Sequence, residues 1–211
     1  MSFSQRENFA LTSVVRSLQV TNFGQNWPLE YKRLYTLWGY FNRIYDLLYA
    51  EGQEWQRIAS FALDTRFAGV IEHRFYTTGA VRCLSSLPCV GDGRRGFEPQ
   101  GHVRIAFRTL REIFRVPTSD VCGDVSLCNM RKKKGWQLCS NYSWPSRPKD
   151  VVELADAKFT LVGAVLTIAY QVRNNLFHGS KIQMKARDKM LAGLVADIVQ
   201  VILEEIVIVL G

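Results

Sequence analysis

The stretch Leu161-Val162-Gly163-Ala164-Val165-Leu166-Thr167-Ile168-Ala169-Tyr170-Gln171-Val172-Arg173-Asn174-Asn175-Leu176-Phe177-His178-Gly179 carries most of what this chain says about its fold. Leu154, Leu161, Val165, Ile168 and Val172 recur at helical steps, and Phe159, Val162, Leu166 and Ala169 form a second stripe beside them. Residues at that spacing share a helix face, so two adjacent stripes describe a helix covered on most sides. Upstream, Asp150 followed by Glu153 fits a capping box, with Pro148 just outside it. One helix is therefore predicted from about Asp150 to His178. Its remaining side reads Glu153, Asp156, Thr160, Thr167 and Gln171, and the same spacing continues to Asn174 and His178, which stand four apart on one face. Arg173 extends the second apolar stripe, so its stem can lie on apolar surface while its head reaches the same corner. Asn175 falls on the seam of Leu161, Val165, Ile168 and Val172, which predicts a mainly structural role. Gly179 suits a left-handed cap and would place His178 in the last turn, where the helix dipole favours the imidazolium.

Working outward, the N-terminal half predicts more helix. Pro28 after Asn26 marks a start, Leu34, Trp38, Phe41, Tyr45 and Leu48 form an apolar stripe, and Gly52 marks the stop. A second helix is predicted from about Gln53 to about Glu72 with Trp55, Ile58, Ala59 and Ala62 inward, and a further one over the first twenty residues. The window from Leu194 to Leu210 is the most apolar, yet Asp197, Glu204 and Glu205 interrupt it, as in a buried bundle helix rather than a membrane span. The expected architecture is a single all-α domain over residues 1–211. Four to five core helices lie at roughly 28–80 and 150–211, with a basic, cysteine-containing insertion at roughly 81–149.

Within the insertion, Gly91-Asp92-Gly93-Arg94-Arg95-Gly96 lacks the Gly-Lys-Ser/Thr ending of a phosphate-cradling loop. A short helix follows in which Val103, Phe107, Leu110 and Phe114 form one stripe and Arg104, Arg108, Arg111 and Arg115 another. Such an arginine face suits a phosphate backbone, and a solvated face balanced by Glu112 is the plainer alternative. Beyond it, Lys132, Lys133, Lys134 and Trp136 mix cations with a ring, a combination that fits looped or single-stranded RNA because cations track phosphates while rings stack bases.

The 211 residues carry a net charge of +8, which favours a polyanionic partner. Five cysteines, an odd number, with no leader-like start predict reduced thiols and a cytoplasmic protein. Cys83 and Cys89 are six apart, as are Cys122 and Cys128, with Cys139 beyond; structural zinc favours closer pairs, so no metal or other cofactor is expected.

An arginine, two amides and a histidine at a helix end can cleave RNA without a cofactor. The substrate's own 2′-hydroxyl attacks the adjacent phosphate, while a group with a pKa near neutrality moves protons and a fixed cation steadies the anionic transition state. One histidine per chain is awkward for a reaction that wants both a base and an acid, and two chains facing each other would supply both. Arg173-Asn174-Asn175-Leu176-Phe177-His178 resembles the Arg-x4-6-His signature of the HEPN superfamily of helical-bundle toxins, antiviral effectors and RNA-processing enzymes. The Leu34–Tyr45 stretch, with its Trp38, Phe41-Asn42 and Tyr45, resembles the early helix of many bacterial members, and the segment from Arg187-Asp188 to Leu210 resembles their closing helix. The resemblance implies a homodimeric, metal-independent endoribonuclease, a toxin or abortive-infection effector, with Arg173 and His178 as the catalytic pair and Asn174 as their polar neighbour. It also implies that an antitoxin or regulatory protein could accompany the chain. Ser180 stands where HEPN toxins of one class carry a tyrosine that their antitoxin modifies, so that form of regulation is not expected. A non-catalytic HEPN-like module that grips a nucleotide, RNA or a protein is the alternative.

Overall fold

The computed structural model describes residues 28–87, 101–116, 160–177 and 186–210. Every regular element among them is an α-helix: α1 Leu29–Leu48, α2 Glu54–Leu63, α3 Ala68–Thr77, α4 Gly79–Ser85, α5 Gly101–Phe114, α6 Leu161–Phe177 and α7 Ala186–Leu210. They belong to two compact units, one comprising Met1–Ala80 with Ile182–Gly211 and the other Val81–Lys181.

In the first unit, α7 lies along α1, and α2 and α3 join them. Pro28 sits one residue before α1, and its carbonyl accepts hydrogen bonds from the backbone N–H groups of Tyr31 and Lys32, each at 3.1 Å. Most of the predicted stripe becomes core: Leu34, Trp38, Phe41 and Tyr45 are buried, joined by Tyr31, Tyr40 and Ile44, while Leu48 is half-buried. Phe41 meets the rings of Trp38, Tyr45 and Phe61 edge-on, with centroids 5.7, 5.0 and 5.0 Å away. Such pairs contribute beyond their buried area. From α7, Leu191, Val195, Ile198, Val199, Ile202 and Ile206 are covered. Arg33 of α1 pairs with Asp197 of α7 at 2.6 Å and also donates to Gln200. Both partners of that pair are exposed, which limits its worth to under about 1 kcal/mol. No described helix is long and apolar enough to cross a membrane.

The single helix predicted from Gln53 to Glu72 is two helices, because Asp64 breaks it. Asp64 adopts φ −69°, ψ 113°, and its carbonyl accepts from the N–H groups of Phe67 and Ala68. Its carboxylate accepts from the backbone N–H of Arg66 at 2.9 Å, from the Arg66 guanidinium at 2.5–3.0 Å, and from the Tyr49 hydroxyl. An aspartate that satisfies neighbouring N–H groups itself offers the chain an alternative to the helix ladder. Apolar spacing cannot register this competition, since Phe61 and Phe67 on either side of the break remain stacked at 5.3 Å. Between α1 and α2, Gly52 takes φ +88°, where an added Cβ would also come within 2.6 Å of Gln56 Oε1. That oxygen accepts from the Gln53 N–H to close a capping box.

In the second unit, α6 packs on α5. Val103, Ala106, Phe107 and Leu110 of α5 are fully covered, and Phe114 is half-buried. On α6, both predicted stripes are buried from Leu161 to Val172. The helix does not begin at Asp150. Thr160 is not helical, and its Oγ1 accepts from the Gly163 N–H at 2.9 Å, which makes it the N-cap. Asp150, Glu153, Pro148, Leu154 and Phe159 lie outside the described residues. Thr160→Ala is expected to destabilise this unit by about 1 kcal/mol, as loss of a cap hydroxyl usually does, read as a lower denaturation midpoint at unchanged slope.

α5, which lies within the insertion expected at roughly 81–149, packs against α6, the helix of Arg173, in the unit Val81–Lys181. A stripe as apolar as Val103-Phe107-Leu110 needs a surface to cover it, and α6, apolar on most sides, provides one.

Candidate functional site

The C-terminal turn of α6 brings Arg173 and Asn174 together. Arg173 Nη1 donates to Asn174 Oδ1 at 2.8 Å, and the guanidinium lies 6.0 Å from the centroid of the Phe177 ring, one turn along the helix. Both Arg173 and Asn174 are half-buried, so the cation is held by an amide and an aromatic face rather than waving in solvent. The arginine therefore arrives with its orientation partly fixed, which lowers the entropy lost on gripping an anion. His178 is the residue immediately after this helix and lies outside the described residues. The orphan carbonyls of the last turn give this end a negative bias, which the arginine offsets and a protonated histidine would share.

Asn175 is half-buried and not simply core. Gln171 Nε2 donates to Asn175 Oδ1 at 2.8 Å, and Gln171 itself is only 6% exposed. By spacing alone, Gln171 falls on the polar side of the helix and Asn175 on the apolar seam. The structure joins them as an i,i+4 amide pair, a spacing that does bring side chains together on a helix. That spacing was the signal that could have found the pair.

The arginine stripe of α5 separates into unlike parts. Arg108 forms an i,i+4 ion pair with Glu112 at 2.7 Å, both side chains well exposed. Arg111 turns inward: it is 5% exposed, donates to the carbonyls of Leu87 at 2.8 Å and Ser85 at 3.3 Å, and lies 5.2 Å from the centroid of the Phe107 ring. Its Nε and Nη2 donors tie the last residue of α4 and Leu87 just beyond it to α5. Arg115 is exposed at the end of α5 with φ 52°. The N–H of Val116 there donates to the Arg111 carbonyl and that of Arg115 to the Glu112 carbonyl, a Schellman end in which arginine occupies the usual glycine position. Arg104 lies within α5. Lys132, Lys133, Lys134 and Trp136 lie outside the described residues. Cys83 carries a free, exposed thiol, and Cys89, Cys122, Cys128 and Cys139 are likewise outside. Among the described residues, no three His, Cys, Asp or Glu side chains are grouped as metal ligands would be.

A third polar cluster occupies the corner of α1, α2 and α3, where Tyr49, Asp64 and Arg66 meet. Burial pushes the Asp64 carboxyl up, but the hydrogen bonds it accepts from Arg66 and Tyr49 outweigh that and hold it below the usual carboxylate range. Burial, reinforced by the hydrogen bond to Asp64, pushes the Tyr49 phenol well above its ordinary value. Each group is stabilised in the state that completes the cluster, so the corner is a structural latch.

No family model matches this sequence, and comparisons with curated proteins and with solved structures give no significant match.

Proposed function

We propose that this chain is a HEPN-type, metal-independent endoribonuclease that works as a homodimer and serves as a toxin or an abortive-infection effector. The observation that supports it most is the Arg173–Asn174 hydrogen bond at the end of a buried helix, with a histidine as the next residue beyond that helix. A fixed guanidinium suits the non-bridging oxygens of a phosphodiester, because its planar fork matches two oxygens at once.

In this mechanism the 2′-hydroxyl of the substrate attacks the adjacent phosphorus. His178 of one chain takes the hydroxyl proton, and the same residue of the second chain returns a proton to the leaving 5′-oxygen. Arg173 stabilises the charge that accumulates on the phosphorane, and Asn174, its oxygen already turned to Arg173, offers its Nδ2 donor to the phosphate. Arg104, Arg108 and Arg115, together with Lys132, Lys133, Lys134 and Trp136, extend the contact along the RNA. Arg111 is left out, since its guanidinium is committed to the carbonyls of Ser85 and Leu87.

The test is cleavage of RNA by purified protein in EDTA, with analysis of the ends. The expected products carry 2′,3′-cyclic phosphates and 5′-hydroxyls, and activity should follow the dimer in solution mass measurements. Products with 3′-hydroxyls, or cleavage abolished by chelation, would exclude the mechanism.

A further inference from the structure

α7 has two faces of different kinds. Leu191, Val195, Ile198, Ile202 and Ile206 are covered, as apolar residues at helical spacing are when a helix packs on a core. The outer face carries a second pattern that this covered face does not account for. Met190, Leu194, Asp197, Val201, Glu204 and Ile208 follow one another at alternating steps of four and three, the spacing of a seam along which two helices pack. Leu194, Val201 and Ile208 form an apolar column, and Asp197 and Glu204 run beside it. Met190 is 47% and Ile208 67% exposed, Leu194 and Val201 are half-buried, and Glu204 is exposed. The acids are ordered. Arg33 of α1 pairs with Asp197 and donates to the side-chain oxygen of Gln200. A guanidinium has donors only, so it settles the sense of the Gln200 amide, whose Nε2 donates to Glu204 at 2.8 Å. Both carboxylates thus stand in line with the apolar column before anything binds, which lowers the entropy lost on docking. From Met190 to Leu210 the helix has no Lys, Arg or His, in a chain whose net charge is +8.

We propose that the outer face of α7 is a docking surface for a basic amphipathic helix of a protein partner, whose apolar residues cover Leu194, Val201 and Ile208 and whose Lys or Arg side chains meet Asp197 and Glu204. An amphipathic helix laid on a matching apolar stripe, with anchors at helical spacing, is a recurrent mode of recognition. Charge decides among the occupants. Carboxylates along the stripe oppose the phosphates of RNA and of anionic lipid, and a second copy of α7 would set one acidic column against another. A cationic helix meets neither obstacle. The stretch from Met190 to Ile208 rises about 27 Å, which matches about five turns of a partner helix. This surface is independent of the phosphodiester reading, since it lies on a different helix and takes a protein.

The test uses the full chain and a synthetic, fluorescently labelled helical peptide about three heptads long, with Leu along its seam and Lys flanking it. In the control peptide Glu replaces each Lys. Anisotropy should show the Lys peptide binding at least about 10-fold more tightly than the Glu peptide, with the difference shrinking as salt is added. Glu204→Lys should weaken binding of the Lys peptide about 10-fold, the scale of one contact between charged groups. Ile208→Asp should weaken it by about as much, because it sets a charge in the apolar column. Both side chains are exposed, so the thermal midpoints should stay at the wild-type value. Val70→Asp, at an exposed apolar position of α3, should leave peptide binding unchanged. No binding by the wild type, equal binding of the two peptides, or a loss in Val70→Asp as large as in the α7 variants would overturn the proposal. A wild-type dimer that Ile208→Asp splits would overturn it as well, since the occupant would then be a second copy. RNA cleavage is read separately: its absence, together with the expected peptide results, would remove the ribonuclease reading and keep the docking surface.

Discussion

His178→Ala is expected to lower the rate of RNA cleavage by about 10²–10⁴-fold, the usual contribution of a positioned acid–base group, without lowering the thermal midpoint. Arg173→Ala should cost about 10²–10³-fold, as removal of one donor aimed at transition-state charge does. Arg173→Lys should recover only part of this. A lysine ammonium restores the charge, but it lacks the planar fork and cannot reproduce both the bond to Asn174 Oδ1 and the contact with the Phe177 ring. The two losses should not add, because the groups act on one transition state. The pH profile carries the sharper expectation. If one His178 must be neutral and its counterpart protonated, kcat/KM rises and then falls with pH. A profile with one limb only would point to a single titrating histidine and would remove the reason for two chains. Expression in cells gives the same comparison as growth arrest by the wild type and normal growth with His178→Ala. Equal cutting by the variants and the wild type would refute the catalytic reading.

Much of the helical core was legible because it depends on periodicity alone. The stripes of α1 and α6 emerge from three- and four-residue spacing, and Leu34, Trp38, Phe41 and Tyr45, like Leu161, Val165, Ile168 and Val172, are buried as that spacing requires. What escaped the sequence was decided by polar groups that bond locally. Asp64 ends α2 by collecting the donors of Arg66 and Tyr49, and Thr160 starts α6 by capping Gly163, although Asp150 and Glu153 present the stronger capping pattern. Arg111 shows the same limit from the other side. Its place among Arg104, Arg108 and Arg115 reads as one basic face, but the carbonyls of Ser85 and Leu87, 26 and 24 residues away, turn it inward. No local pattern foretells a partner at that distance. In the candidate site, the company of Arg173 and Asn174 was readable from their adjacency, while the bond from Gln171 to Asn175 joins the polar side to the apolar seam, which stripe assignment alone does not register.

Asp64→Ala should be the most damaging single change outside the apolar core, at about 3 kcal/mol, because it strips one partner from a largely buried ion pair. Only 11% of the Asp64 side chain and 18% of the Arg66 side chain are exposed, so water does little to replace the lost bonds. The Tyr49 hydroxyl and the Arg66 backbone N–H lose their acceptor at the same time. For a chain of this size, the thermal midpoint of the unit that holds α1, α2, α3 and α7 should fall by roughly 6–12 °C. The dependence on pH distinguishes this latch from a mere loss of packing. Asp64 is held below its unfolded value of about 3.9, so its contribution is complete above about pH 5 and disappears as the pH falls through the lower folded value. Tyr49 is held above its unfolded value of about 10, so its contribution is complete below that pH and is lost as the pH rises toward the higher folded value. The stability gap between wild type and Asp64→Ala, taken from denaturant titrations, should therefore be level from about pH 5 to pH 9 and narrow on both sides. Asp64→Asn keeps the shape and an oxygen for Tyr49 but not the charge for Arg66, so it should lose less than Asp64→Ala and should not show the acid-side narrowing against Asp64→Ala. A gap that stays constant down to pH 3 would mean that the carboxylate contributes volume rather than charge, and would take the latch out of the account of how α2 and α3 are held at their break.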